Sequence, residues 1–257
     1  MTPTPASGAL EVALASPVAV AAHDKDAWMA LFARDHVVED PVGGRPVVGG
    51  RFDPAGGDRG DGPLSRFWDT FIAPNDITVS GAGDVVDGST VARHVTIETR
   101  TPTGVVLRTP AHLVYELTDE DGSLRIRRLA AHWEVGPMLR QLLRPSWAHV
   151  RSLLEQGTRS LRLQGPAGTI AFVRSIRSVG EHGKAEVARL VAAAHAGDEQ
   201  ARALLGGVAP TDLGGLIAAG PCVSGTCTAD GTAALLVCEL DRKTRRVTGS
   251  TLYVDRR

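Results

Sequence analysis

From Ile77 to Glu134 the chain reads as strand-like segments punctuated by turns, Asp87-Gly88, Pro102-Thr103-Gly104 and Asp121-Gly122, and this long meander follows helix-like sequence. Helices followed by consecutive strands on short turns predict an α+β domain, with helices packed on one face of a curved antiparallel sheet. A sheet curved in that way makes a cone whose mouth can hold a ligand.

Upstream of the meander, residues 9–34 predict two helices broken near His23-Asp24-Lys25-Asp26. Asp24 has the residue type and position of an N-cap for the helix that carries Trp28, Leu31 and Phe32. A strand at Val37-Val38 then runs into Asp40-Pro41-Val42-Gly43. A glycine-rich connection, Gly49 to Gly62, leads to a short helix, Pro63 to Phe71, bearing Phe67 and Trp68. The carboxylate of Asp40, at the end of an apolar strand beside a proline and a glycine, is partly desolvated. That raises its pKa and suits it to accept a proton near neutral pH.

Strand alternation places Ala111, Leu113, Tyr115 and Leu117 on one apolar face and His112, Val114 and Glu116 on the other. If the apolar face lines the cone, His112 is exposed and the Tyr115 hydroxyl is available to a ligand. His94 and His132 read as partly buried strand histidines, and Arg125-Ile126-Arg127-Arg128 as a solvated edge.

The second half is expected to begin with a helical linker over 138–168, followed by a shortened, degenerate second cone-like α+β domain over 169–257 without a counterpart of the Asp40 turn. Two features support it. Val191 to Asp198 with the following Ala201-Arg202-Ala203-Leu204-Leu205 echoes Val20 to Asp26 with the helix after it, and Cys222–Cys227, Thr232–Leu240 and Arg246–Val254 imitate the end of the first meander. The turns between these strands are Ala229-Asp230-Gly231 and Asp241-Arg242-Lys243-Thr244.

Lys and Arg number 28 against 29 acids in 257 residues, with no sustained basic stripe, so nucleic acid is not an expected partner. No apolar run approaches the ~18 residues of a membrane span. The Ala/Val-rich start, Ala9 to Ala22, contains Glu11, lacks a basic leader and reads as the first helix; a cytoplasmic location is expected. The three cysteines, Cys222, Cys227 and Cys238, lack zinc spacing and read as buried free thiols, with Cys222 and Cys227 on opposite strand faces. No feature calls for a metal or an organic cofactor.

Several of these segments, in this order, resemble the ketosteroid isomerases and their wider nuclear transport factor 2-like (SnoaL-like) superfamily, over about residues 9–137. Leu31 to Gly43 is similar to the turn whose Asp is the general base. Phe67-Trp68-Asp69 stands where those enzymes carry a Phe-Tyr pair on the third helix, and Ala131-His132-Trp133-Glu134-Val135 resembles their last strand, in which an aromatic lines the ligand site. The resemblance implies Asp40 as catalytic base, with Trp68, Phe67, Trp133 and Leu113 around a small apolar, polycyclic ligand. Two departures stand out. The isomerases hold the developing dienolate with a Tyr and a protonated Asp, whereas here Ser16 falls at the Tyr position and His112 or Leu113 at the Asp position.

The expected function is therefore isomerase-like proton transfer by Asp40 on an apolar steroid-like or polyketide-like carbonyl compound, shifting a C=C bond within the molecule. Tyr115, His112 and Ser16, together with the indole of Trp133, are the candidate substitute donors. The alternatives are a non-catalytic protein that binds a small hydrophobic ligand or dimerises, and an epoxide hydrolase or polyketide cyclase, for which Asp69 or Glu134 would be the second acid. The resemblance also implies a homodimer paired through its sheets, unless the second half covers that sheet within one chain.

Overall fold

The computed structural model describes residues 5–49, 62–142, 151 and 178–257. Two helices, α1 (Pro5–Ala21) and α2 (Lys25–Ala30), open the chain. Asp24 caps α2, its side chain accepting from the Ala27 N–H at 2.9 Å. Helix α2 ends at Ala30 and strand β1 (Phe32–Glu39) begins two residues later, so Phe32, expected on the helix, belongs to the strand. A two-residue strand β2 (Val47–Val48) pairs with β1. Most of the glycine-rich connection expected before Pro63 lies outside the described residues. The helix expected from Pro63 is present as α3 (Pro63–Phe67), continued by a π-helical turn, Trp68–Ile72.

The meander follows as β3 (Asp76–Asp87), β4 (Thr90–Arg100), β5 (Val106–Glu120) and β6 (Ser123–Trp133), turning at the sites expected from sequence. Gly88, Gly104 and Gly122 take positive φ in those turns. The sheet order is β2-β1-β6-β5-β4-β3. The sheet is mixed rather than antiparallel throughout, because β1 runs parallel to β6. The arginine-rich segment 125–128 therefore lies in an internal strand, not at an edge. Its Arg128 is paired with Glu39 at 2.6 Å and Glu116 at 2.7 Å.

Helix α1 contributes Ala9, Ala13 and Val20, at helical spacing, to the core on the concave face, with Val86, Val91, Val95, Ala111, Leu113, Tyr115, Leu117 and Ala131 from the sheet. Small residues on α1 let the helix approach the strands closely. Trp28 joins Phe32, Phe67 and Trp68 beside them, its ring 4.7, 6.2 and 5.4 Å from theirs.

After α4 (Val135–Leu142), the described part of the expected linker apart from Arg151, come α5 (Gly180–His195) and α6 (Glu199–Leu204). Asp198 caps α6, accepting from the N–H groups of Gln200 and Ala201 at 2.9 and 3.0 Å. The sequence echo between the halves thus corresponds to one local device, a helix, a tight turn and an Asp-capped short helix.

Strands β7 (Thr211–Ala219), β8 (Cys222–Ala229), β9 (Thr232–Leu240) and β10 (Val247–Val254) form a separate antiparallel sheet in the order β10-β9-β8-β7. Strand β7 was not anticipated, since its Asp-Leu-Gly-Gly start carries no apolar alternation. One face of this sheet packs on α5 and α6 through Val187, Val191, Ala201, Val223, Leu236 and Cys238. The other packs against the outer face of the first sheet, where Val85, Ala92, Val114 and Ala130 meet Ala219, Cys222 and Leu235. The layers run helix, sheet, sheet, helix, and the outer face offered for pairing in a homodimer is covered within the chain.

All three cysteines are free and buried. Cys222 lies between the sheets and Cys227 on the helix side, opposite faces as strand alternation requires. Burial pushes their thiols up to about 12 and about 11, and Cys238 up to about 12, so they are poor nucleophiles.

Between the sheets lies a polar row, His94 opposite His112 and His112 opposite His132 in strand register. His94 Nδ1 is 2.9 Å from His112 Nε2, and His112 Nδ1 is 2.7 Å from the Ser224 hydroxyl of β8. Burial first, then the fields of His94 and His132, push His112 down to about 3; burial and Arg128 push His132 down to about 4. These groups stay neutral when folded but take protons when unfolded below about pH 6.5, so stability is fully present above that pH and falls toward pH 4. The loss should approach ~1.4 kcal/mol per pH unit for each histidine. Urea titrations at pH 7 and pH 5 check this, and a His112→Gln/His132→Gln chain should show a shallower pH dependence.

Candidate active site

The Asp40 turn is built where β1 ends against β6. Glu39 pairs with Ala130, and the Val42 N–H donates to the Ala131 carbonyl at 2.9 Å, so the turn is tied to the last strand of the sheet. The Asp40–Pro41 peptide is cis. The Gly44 N–H closes the turn on the Pro41 carbonyl at 3.0 Å.

Asp40 faces the concave side. The indole Nε1–H of Trp133, at the end of β6, donates to Asp40 Oδ1 at 2.6 Å. Asp40 is exposed to solvent. The surrounding protein raises its carboxyl above the usual range, and the Trp133 hydrogen bond opposes that rise in part. A carboxylate of this kind is a competent proton acceptor with one oxygen held in place.

The candidate partners separate cleanly by strand face. Leu113 and Tyr115 lie on the concave face with Asp40, in the same core as Ala131 and Trp133. His112, on the opposite face, is buried against Ser224 rather than exposed, because the second sheet covers it; the strand places it out of reach of the concave side. Ser16, also buried, accepts a hydrogen bond from the Trp28 Nε1–H at 3.2 Å, and its hydroxyl opposes in part the rise that burial imposes on the Tyr115 phenol. Burial raises the Tyr115 phenol above its ordinary value.

Of the expected aromatic lining, Trp133 is only half-buried, but Phe67 and Trp68 are 6% and 3% exposed and pack into the Trp28 cluster. They shape the core more than they present a surface. Asp69 pairs with Lys25 at 2.8 Å and Glu134 with Lys184 at 2.9 Å, so both second-acid candidates are held by cations. Among the described residues no cluster of three or more His, Cys, Asp or Glu side chains is arranged to hold a metal ion.

Two further residues of the concave face are Arg93 on β4 and Asp84 on β3, paired at 2.8 Å. The sequence carries a signal for the first: alternation puts Arg93 between Val91 and Val95 on an otherwise apolar face.

Residues 14–129 match the family described as the SnoaL-like domain. Among curated proteins, none matches the chain. Among solved structures, the chain is similar to a Δ5-3-ketosteroid isomerase from Mycobacterium sp., at 29% identity over 53% of this chain and 98% of that one, with a TM-score of 0.42. It is also similar to a Mycobacterium tuberculosis protein in complex with estradiol-17β-hemisuccinate, at 24% identity over 52% and 97% of the two chains and a TM-score of 0.42. An M. tuberculosis epoxide hydrolase matches at 19% identity over 63% and 99%, with a TM-score of 0.43. With a mixed curved sheet, helices on its concave face and the Asp40 turn set against the last strand, residues 14–129 are a SnoaL-like domain of the nuclear transport factor 2-like superfamily.

Proposed function

We propose that this domain is an isomerase-like enzyme in which Asp40 transfers a proton on an apolar, steroid-like or polyketide-like carbonyl compound. The observation that carries the reading is the Trp133–Asp40 hydrogen bond at 2.6 Å on a solvent-reached carboxylate of raised pKa. Asp40 takes a proton from the carbon next to the carbonyl, the electron pair moves to the carbonyl oxygen, and the proton returns to another carbon of the same molecule.

Tyr115 is the substitute donor in this reading. Its phenol lies on the concave face near Ser16, whose oxygen accepts from Trp28, and its O–H is the group that would donate to the ligand. The epoxide-opening reading has less support, since Asp69 and Glu134 already serve Lys25 and Lys184. A carrier without catalysis is the second reading, favoured by Ser16, and His112 or Leu113, standing where the isomerases carry their oxyanion donors. We place the protein in the cytoplasm, consistent with three unpaired cysteines, and as a monomer of 27.0 kDa whose own second half takes the partner's place on the outer sheet face.

An assay of Δ5-3-ketosteroid isomerisation, comparing the native chain with Asp40→Asn, tests the catalytic reading. The rate should fall as pH drops through the Asp40 pKa, with the acid limb above the ordinary carboxylate range. Trp133→Phe removes the hydrogen bond that favours the ionised form and should move that limb to higher pH. An acid limb that stays in place, or moves down, would count against Asp40 as the titrating base.

A further inference from the structure

The proton transfer outlined above leaves one buried cation of the concave face without a task. Arg93 is 5% exposed. Its Nε donates to Asp84 Oδ1 at 2.8 Å, a bond between residues directly opposite in the β3–β4 register. That occupies one edge of the guanidinium. Nη1 is buried and has no hydrogen-bond partner among the described residues.

An unpaired N–H on a buried cation is costly, and such groups in native proteins are paired with protein, water or ligand. The backbone beside the guanidinium carries glycine. Strand β3 bulges between Gly81 and Gly83, and a Cβ at Gly81 would lie 3.2 Å from Arg93 Nη2. Across the β4–β5 register Arg93 faces Leu113, which makes Tyr115 its diagonal neighbour on the same face. The charges of Arg93 and Asp40 both act on the Tyr115 hydroxyl, so the phenol stands within the field of each.

We infer that Arg93 is the second oxyanion donor of the site, its Nη1–H and the Tyr115 hydroxyl together receiving the oxygen of the carbonyl compound that Asp40 deprotonates. The inference rests on the reading of the Asp40 face as a ligand site. It answers the absence of the family's acidic donor on β5, where Leu113 stands. A guanidinium keeps its protons at any working pH, so the oxygen is held as an enolate anion and is not protonated by Arg93. The substrate class that fits is an enolisable carbonyl compound with a delocalised conjugate base. A phenol of similar shape should bind as its phenolate.

The test uses an equilenin-like fluorescent phenol, whose neutral and ionised forms differ in emission, with the native chain and variants. The native chain should bind the phenolate, and Asp40→Asn should bind it more tightly because the neighbouring negative charge is gone. Arg93→Met should bind about 10- to 100-fold more weakly, the worth of a hydrogen bond to a charged group, and as the neutral phenol. Arg93→Lys should recover part of the phenolate signal. Asp84→Asn removes the negative charge competing for the guanidinium and should strengthen phenolate binding, which a purely structural ion pair would not do. Phenolate binding by Arg93→Met at native affinity would overturn the assignment while leaving the Asp40 site intact. Failure of the native chain to bind the phenol in either form would overturn the ligand-site reading itself, and this inference with it.

Discussion

Asp40→Asn should slow proton transfer by about 10²- to 10⁴-fold, the contribution typical of a positioned general base. The substitution is conservative in every respect but the one under test. Asparagine keeps the side-chain shape and a carbonyl oxygen to accept from Trp133 Nε1, now 2.6 Å from Oδ1. It loses only the ability to take up a proton. Because Asp40 is exposed and its ionised form is disfavoured by the surrounding protein, folding should not suffer. Thermal melts that superimpose, with steroid isomerisation reduced to the background, support the reading. Equal rates in the two chains would remove the catalytic role for that substrate and favour a carrier.

The largest stability effect should come from Gly220, in the second half. The Asp40-Pro41-Val42-Gly43 turn sits directly on the turn between β7 and β8. A Cβ at Gly220 would lie 2.5 Å from the Gly43 Cα and 2.9 Å from the Val42 carbonyl oxygen, and one at Gly43 would lie 2.5 Å from the Gly220 Cα. Both glycines have positive φ, +54° at Gly220 and +89° at Gly43. Gly220→Ala therefore adds a left-handed conformation for a residue with a Cβ to a clash with backbone, which cannot rotate aside. Together these should cost about 2–5 kcal/mol, lowering the melting temperature by about 5–15 °C. Steroid isomerisation should fall as well, since relief of the clash pushes on the turn that carries Asp40. An unchanged melting temperature would show that the two turns do not touch in solution.

This contact gives the second half a role no local pattern announced. The Asp-Pro-Val-Gly segment reads as a turn from its proline and glycine alone. That its glycine is also the seat of a second sheet depends on Gly220, 177 positions away by the arithmetic 220 − 43. The His94-His112-His132 row tells the same story. Alternation alone places His112 on the face away from Tyr115, but whether that face meets water or protein is decided by β8, whose Ser224 closes the row at 2.7 Å.

The site was partly legible for similar reasons. Asp40 could be named because a turn is a local feature, Trp133 through the resemblance of its strand to the family's last strand, and Tyr115 because strand faces follow from a period of two. Arg93 escaped notice because an arginine between apolar positions reads equally as a solvated residue. Only the packing of α1 over β3 and β4, with Gly81 beside it, makes it a buried cation with an idle donor. Phe67 and Trp68 were expected to line a ligand site, but a third large ring, Trp28, lies close enough to pack against both.

By itself the sequence determined the helix cap at Asp24, the turns of the first meander and the last two of the second, the inward and outward faces of the strands and the position of one carboxylate. Each depends on residues within a few positions of one another, through capping, turn conformation or the alternation of side chains. The tertiary structure decided that β1 runs parallel to β6, that the two sheets pack back to back, that Trp133 holds Asp40 and that Arg93 lies beside Tyr115. These depend on which distant surfaces exclude water from each other, a property of the packed chain that no short segment carries.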